Sequence, residues 1–256
     1  SDRRRLVDRR AFPPARHWVT AAMRVGRRMS PVHGLIEVDV TKAVRQLEGT
    51  DVSFTAFVVA TVSRAAALHP EVHAYRDWLG RIVVHRYVDV ATLIEVDVGQ
   101  GSFPLAHLIR DADVRDVVDI SKEIRAVKRD PLGTSEGRRV AKFAPIGGRI
   151  PGLAWIAYWV MSRSTRMRAV SGTVAVSSVG MFGRGSGHGI GFPTVLSLSV
   201  QVGGRTRRPV VTGDEIAVGE VLDLTVTFDH NTVDGAPAAR FVADLRKLLT
   251  GADVLN

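Results

Sequence analysis

The stretch LDLTVTFDHNTVDG, residues 222–235, combines a strand pattern with a polar corner. Apolar residues occupy every second position as far as Phe228, with Asp or Thr between them. This period of two predicts a β-strand with one buried face. The strand leads directly into Asp229 and His230, and Asp234 follows four residues after the histidine.

A helix is predicted immediately after this corner, over residues 236–249. Pro237 suits the first turn of a helix, and five apolar residues fall on one helical face: Phe241, Val242, Leu245, Leu248 and Leu249. His230 therefore lies between two elements that are anchored in a core. A corner of this kind can hold a histidine still enough to act as a general base.

Size and composition indicate one soluble domain. A chain of 256 residues can bury a sizeable core, and the absence of cysteine excludes disulfides and thiolate metal sites. The longest strongly apolar run, residues 153–161, is much shorter than the roughly 20 residues that span a bilayer. The arginine-rich N-terminus has no apolar segment typical of a signal peptide behind it, so we expect a cytoplasmic protein.

The net charge of +9 is concentrated in residues 1–28, which hold nine arginines and two aspartates. We interpret these residues as a basic N-terminal arm and residues 29–256 as the folded domain. Such an arm is typically a solvated tail, and docking of an acidic partner is the alternative. Few aromatic residues and no nucleic-acid-binding motif accompany it, which disfavours nucleic acid as a partner.

The rest of the domain mixes short strands with amphipathic helices. Strands are predicted at residues 35–41, 81–85, 88–96 and 192–202. Helices are predicted after Ser53 as a cap, ending at His69 before Pro70, and over residues 116–128. This alternation indicates an α/β or α+β layer structure.

Residues 131–171 are the least regular part, with Pro and Gly followed by the apolar run 153–161 and several arginines. A buried or interface helix is one interpretation, and a helix at a membrane surface is the other. The arginines follow the apolar residues instead of lying opposite them, which disfavours the membrane.

Residues 172–191 predict a strand that runs into a glycine-rich loop. A dinucleotide-binding loop would need a helix after the glycines, but a strand is predicted there. Ser177 and Ser178 end the strand, where serines alone are commonly turn residues. The other histidines have no spacing typical of zinc ligands, so we expect no metal.

The chain resembles the catalytic domain of 2-oxo acid dehydrogenase dihydrolipoyl acyltransferases, whose fold is that of chloramphenicol acetyltransferase. The closing segment FDHNTVDGAPAARFVADLRKLL carries the resemblance most clearly. Matching segments precede it in the same order: VDVT at 38–41, then 53–74, 85–97, GTVAVSSVGMFG at 172–183, and 193–211. Residues 131–171 lack a counterpart and are interpreted as an atypical insertion.

The resemblance implies a two-layer α/β fold with a mixed sheet, and a homotrimer or larger assembly with active sites between subunits. It implies an acyl group transferred between coenzyme A and a thiol, of the dihydrolipoyl type or another acceptor. His230 would be the general base and Ser177 the hydrogen-bond donor to the oxyanion, with Ser178 as the alternate. Asp234 would be structural, orienting the corner through an arginine or capping the following helix.

Two features depart from the family. Asn231 stands where arginine usually follows the histidine, and no lipoyl or subunit-binding domain is recognisable in these residues. A lipoyl group would then come from another polypeptide, or the acceptor would be something else. The expected partners are a lipoyl-bearing protein or a dehydrogenase. A non-catalytic trimeric scaffold, which docks partners through its basic arm, is therefore the alternative function.

Overall fold

A six-stranded mixed sheet forms the centre of the protein in the computed structural model, which describes residues 7–97, 102–131, 133–135, 137–138, 142, 152–178 and 185–255. Its strands are β1 (Pro31–Asp39), β4 (Val90–Asp97), β5 (Ser102–Ile109), β6 (Val174–Ser178), β7 (Leu198–Thr212) and β8 (Glu215–Asp229). Two short strands, β2 (Tyr75–Arg76) and β3 (Ile82–Val83), form a separate ribbon.

The strand order is β1-β8-β7-β6-β4-β5. Strand β6 is parallel to both of its neighbours, and the other pairs are antiparallel. Because β7 and β4 flank β6 on its two sides, the end of β6 lies in the middle of the sheet.

The sheet is accompanied by helices α1 (Pro14–Gly26), α2 (Thr41–Leu47), α3 (Phe54–Leu68), α4 (Val117–Arg129), α5 (Leu153–Met161), α6 (Thr165–Arg168) and α7 (Gly235–Gly251). Ser53 caps α3 as predicted, since its Oγ accepts a hydrogen bond from the Ala56 N–H at 3.2 Å. Asp116 caps α4 in the same way, through the Val118 N–H at 2.6 Å.

Helices α3, α4 and α7 cover one face of the sheet. Val226 of β8 and Val200 of β7 lie in one buried cluster with Phe57 of α3, Ile124 of α4 and Leu245 of α7. Burial of such side chains contributes about 1.5–3 kcal/mol each. The predicted mixed sheet with packed helices is thus the observed architecture.

Strand β8 differs from its prediction because both of its faces are buried between Val221 and Phe228. Asp223, Thr225 and Thr227, which were expected to face solvent, are at most 2% exposed. The second face is covered by groups from remote positions, including the backbone of Gly187. The alternating pattern predicts the strand correctly, but it does not predict that the second face is buried as well.

Helix α1 shows that the basic arm is not solvated throughout. Ala21, Ala22 and Val25 are buried, and α1 packs against α5. A Cβ atom at Gly26 would lie 1.8 Å from the Pro193 carbonyl oxygen, so only glycine permits this approach. The boundary between an arm and a folded domain at residue 28 stays a prediction.

Other predicted strands are shorter than expected. The strand predicted over 192–202 begins only at Leu198, and the one predicted over 81–85 is the two-residue β3. Part of the proposed insertion 131–171 lies outside the described residues. Within the part of the chain that the structure describes, no helix has the length and apolar character needed to cross a membrane.

Candidate active site

His230 occupies the corner between β8 and α7. Its backbone N–H donates to the Ser30 carbonyl at 2.9 Å, which joins the corner to the turn before β1. Its side chain is 48% exposed, and Nδ1 lies 3.8 Å from Asp234 Oδ1. The imidazole is therefore held by its backbone while its ring remains open to a reactant.

Asp229 is the centre of the hydrogen bonds that hold this corner, a role the sequence had not suggested. Its Oδ1 accepts hydrogen bonds from the N–H of Ser30 and of Asn231, both at 3.1 Å, and from Asn231 Nδ2 at 2.8 Å. The Ser30 hydroxyl donates to Asn231 Oδ1 at 3.3 Å. Asn231 thus braces the corner as a neutral amide, without the charge of the family's arginine.

Asp234 does not cap α7 as expected. It occupies the N-cap position, but its side chain accepts no capping hydrogen bond and is 88% exposed. Its close ionisable contact is with His230, and the structure records no arginine at that carboxylate among the described residues. Asp234 therefore lies beside the imidazole as an exposed carboxylate.

Arg168 of α6 supports the corner from the protein interior. It is 2% exposed, and its guanidinium lies 4.2 Å from the centroid of the Tyr75 ring. It donates to the Val195 carbonyl and to Ser197 Oγ, and the Ser197 carbonyl accepts the Asp229 N–H at 2.9 Å. Burial lowers the pKa of Arg168 to about 10, so it remains a cation at neutral pH.

Two buried histidines stack beside this arginine. The rings of His73 and His85 are 6.2 Å apart and nearly parallel, and His85 also stacks on Tyr75. Burial, followed by repulsion from His85, lowers the pKa of His73 to about 4. Burial and then Arg168 lower the pKa of His85 as well. Both rings are therefore neutral at neutral pH.

Ser177 lies on the face of the sheet opposite the helices. It stands between Leu93 of β4 and Gln201 of β7 in register. Ser178 is paired with Val202, which belongs to the core cluster. Because successive strand residues point to opposite faces, Ser177 and not Ser178 is directed to the open side.

A row of polar side chains crosses this face and had not been predicted. His33 Nδ1 is 2.9 Å from Thr227 Oγ1, the Thr227 hydroxyl donates to Gln201 Oε1 at 3.4 Å, and Gln201 Nε2 donates to Ser199 Oγ at 3.1 Å. Since Thr227 has one proton to give, His33 Nδ1 is the donor to it. The alternating polar residues of β7 and β8 are the sequence signal from which this row could have been predicted.

The glycine-rich segment 185–191 lies over the same face. The Gly187 N–H donates to Asp223 Oδ2 at 2.7 Å, and Arg208 Nη2 contacts both oxygens of that carboxylate at 2.7 Å. Between residue 185 and the start of β7, all of it described, the chain forms no helix.

Ser177 and His230 of one chain are far apart. Ser177 is in register with Gln201, and Gln201 with Thr225, five residues before His230. At about 3.3 Å per residue and about 4.8 Å per strand spacing, the two positions are separated by about 19 Å. The chain brings His230, Asn231 and Asp234 together and leaves Ser177 and Ser178 elsewhere.

Residues 162–255 match the sequence model of the 2-oxoacid dehydrogenases acyltransferase (catalytic domain) family. The dihydrolipoyllysine-residue acetyltransferase component of the pyruvate dehydrogenase complex of Rickettsia prowazekii is 21% identical over 215 residues. The lipoamide acyltransferase component of the branched-chain alpha-keto acid dehydrogenase complex of Bacillus subtilis is 26% identical over 231 residues.

These acyltransferases are longer than the present chain. The matches cover 84% of this chain and 44% of the Rickettsia protein, and 86% and 46% for the Bacillus protein. The chain therefore spans less than half the length of either relative.

Solved structures of this acyltransferase fold resemble the whole chain. The dihydrolipoamide acetyltransferase of Azotobacter vinelandii, studied for the catalytic roles of a serine, a histidine and an asparagine, has a TM-score of 0.70 at 16% identity, with 99% of this chain and 96% of that chain covered. The cubic core of a pyruvate dehydrogenase multienzyme complex gives 0.67 at 16% identity, with the same coverage.

A chloramphenicol acetyltransferase gives a TM-score of 0.53 at 16% identity, over 96% of this chain and 99% of that chain. The expected chloramphenicol acetyltransferase-like fold is confirmed. Among the described residues no group of three or more His, Asp or Glu is placed to hold a metal ion.

Proposed function

We propose that this chain is the catalytic part of a coenzyme A-dependent acyltransferase. It moves an acyl group between coenzyme A and a thiol, of the dihydrolipoyl type or another acceptor. The observation that carries the proposal is the half-exposed imidazole of His230, fixed through Ser30 and the Asp229–Asn231 hydrogen bonds. It lies within residues 162–255, which match the acyltransferase family model.

In the proposed reaction His230 takes the proton of the acceptor thiol as its sulfur attacks the thioester carbonyl. The tetrahedral oxyanion accepts a hydrogen bond from the Ser177 hydroxyl. Collapse of this intermediate breaks the bond to the coenzyme A sulfur, and that thiolate takes the proton back from His230. Asp234 lies 3.8 Å from Nδ1, on the side of the ring beside the following helix.

The separation of about 19 Å between the two residues supports a site between subunits, with His230 from one copy and Ser177 from another. Leu35 and Leu93, on the same face as Ser177, are 54% and 46% exposed in the single chain, which suits burial by a second copy. We therefore propose a homotrimer or larger assembly, with any lipoyl carrier supplied by a region or protein outside these 256 residues.

The scaffold alternative was suggested by Asn231 and by the lack of a recognisable lipoyl or subunit-binding domain in these residues. The bracing role of Asn231 weakens the first of these reasons. The histidine and asparagine of the Azotobacter protein are four positions apart, as are His230 and Asp234. This shared spacing supports a catalytic role for His230 and argues against a non-catalytic scaffold.

The test is acyl exchange between acetyl-coenzyme A and dihydrolipoamide. His230→Ala should lower kcat by about 10²- to 10⁴-fold, as expected for loss of a general base. His17→Ala, on α1, is the control and should leave kcat unchanged. A wild-type protein without exchange activity, or a His230→Ala protein as active as wild type at saturating substrate, would contradict the proposal.

A further inference from the structure

All four tryptophans of the chain lie in one surface region. We call it the tryptophan surface: Trp18 of α1, Trp78 of the β2–β3 turn, and Trp155, Tyr158 and Trp159 of α5. Trp155 stacks on Trp159 at 6.1 Å, Trp78 meets Trp159 edge-on at 4.9 Å, and Trp18 meets Tyr158 edge-on at 6.2 Å. Three segments distant in sequence are thus joined by aromatic contacts outside the central core.

This surface exposes much apolar area. Trp78 is 45% exposed, and the neighbouring Leu79, Ile82 and Ile156 are 75%, 52% and 50% exposed. Large apolar side chains clustered on a surface mark an interaction site more often than single exposed ones do. None of these residues takes part in the His230 corner or in the row of polar side chains beside Ser177.

The surroundings of the tryptophan surface are basic. Arg163 lies 5.8 Å from the Trp159 ring centroid, and Arg16, Arg24 and Arg166 are exposed on the helices that form the surface. Residues 9–36 and 137–213, from which α1, α5 and α6 come, contain no Asp or Glu. Asp77, beside Trp78 in sequence, is buried and paired with Arg81 at 2.7 Å. The potential over the surface is therefore positive.

Charge complementarity identifies the occupant. A symmetric contact with a second copy would place arginines against arginines, which is unfavourable. The indole rings pack on each other and are only partly exposed, so they do not project as membrane-inserting side chains would. Tryptophan, tyrosine and arginine are the residues that dominate binding energy at protein–protein interfaces.

We propose that the tryptophan surface docks an acidic polypeptide segment of a partner protein. The carboxylates of the segment pair with Arg163 and Arg166, and an aliphatic or aromatic side chain between them packs on Trp78 and Trp159. This interaction is independent of the acyltransferase chemistry.

Intrinsic tryptophan emission tests this directly, because every indole of the chain lies in the surface. The probe is a synthetic 12-residue peptide, rich in Asp and Glu around a central Leu-Phe pair, titrated into the full chain. We expect a saturable change in emission that weakens as salt is added. The same peptide with Lys in place of Asp and Glu should cause none.

Arg163→Glu should weaken binding of the acidic peptide at least tenfold, and Trp159→Phe should weaken it less. Arg129→Glu, at the exposed end of α4, is the charge-matched control and should bind as wild type. Failure of the acidic peptide to change the emission, or equal weakening by Arg129→Glu, would overturn the proposal.

Two further outcomes would also overturn it. Phosphatidylserine vesicles or a single-stranded oligonucleotide could change the emission with higher affinity than the peptide, which would assign another partner class. Alternatively, Arg163→Glu could change the oligomeric size measured by sedimentation, which would place the surface between copies of the chain.

Discussion

Asn231 donates a hydrogen bond from Nδ2 to Asp229 Oδ1 at 2.8 Å, and the same amide group donates to the Arg28 carbonyl at 3.1 Å. One neutral side chain therefore joins the His230 corner to the turn that precedes β1.

Asn231→Asp removes both of these donors and places a second carboxylate against Asp229. Loss of the hydrogen bonds and the new repulsion should reduce the free energy of unfolding by about 1–3 kcal/mol, and kcat for acyl exchange should fall with it. Urea unfolding measured at pH 7 checks the stability. An unchanged unfolding midpoint would show that the amide does not brace the corner.

Arg168→Met tests whether the buried guanidinium positions the corner through Ser197. The substitution leaves the Val195 carbonyl without its donor and should cost about 1–3 kcal/mol of stability. We expect kcat to fall by about tenfold with KM little changed, since Arg168 is 2% exposed and acts on the geometry of the corner through Ser197.

Arg166→Met is the matched control, because Arg166 lies on the same helix and is exposed. Arg168→Lys should restore part of the lost activity, since it keeps the buried cation. If Arg166→Met and Arg168→Met have equal effects, Arg168 is not a positioning residue.

Local patterns explain which parts of the fold were predictable. Strand β8, helix α7 and the cap of α3 follow from periodicity and from Ser53, which act within a few residues. The cover on the second face of β8 was not predictable, because Gly187 and Arg208 reach Asp223 from other parts of the chain.

The site was predictable in its residues but not in their arrangement. His230 and Ser177 followed from the corner and the family resemblance, whereas their separation follows from the strand order and register. Arg168 had no sequence signal, since its partners Val195 and Ser197 lie about 30 residues away and depend on tertiary packing. Buried Ala21, Ala22 and Val25 were a signal for α1 that the arginine content obscured.

The buried histidines predict a loss of stability in acid. The pKa of His73 in the folded protein, about 4, lies below the ordinary value of 6.5, so the unfolded chain binds a proton that the folded chain does not. Stability should fall as the pH drops from about 6.5 to about 4, by about 3 kcal/mol from His73, and this contribution should be constant outside that window. The lowered pKa of His85 acts in the same direction.

Urea unfolding at pH 8, 6 and 4.5 measures this effect. His73→Asn should flatten the pH dependence, whereas His17→Asn on α1 should leave it as in wild type. Parallel stability curves for His73→Asn and wild type would show that His73 is not the source of the acid sensitivity.

The adjacent serines provide a matched pair for the oxyanion role. Ser177→Ala should lower kcat by about 10²- to 10³-fold, the effect of losing one oxyanion donor, with KM for acetyl-coenzyme A nearly unchanged. Ser178→Ala, on the side of the sheet that faces the core, should keep wild-type kcat. Equal losses in the two variants would contradict the assignment made from the register of β6.

Mixing Ser177→Ala chains with His230→Ala chains tests whether the two residues of one active site come from different subunits. In a cyclic trimer assembled from equal amounts of Ser177→Ala and His230→Ala chains, about a quarter of the sites would combine an intact His230 with an intact Ser177 of the neighbouring subunit. Refolding the variants together should therefore restore up to that fraction of wild-type exchange, while each variant refolded alone stays inactive. A site built within one chain would give no recovery, because every chain lacks one of the two residues.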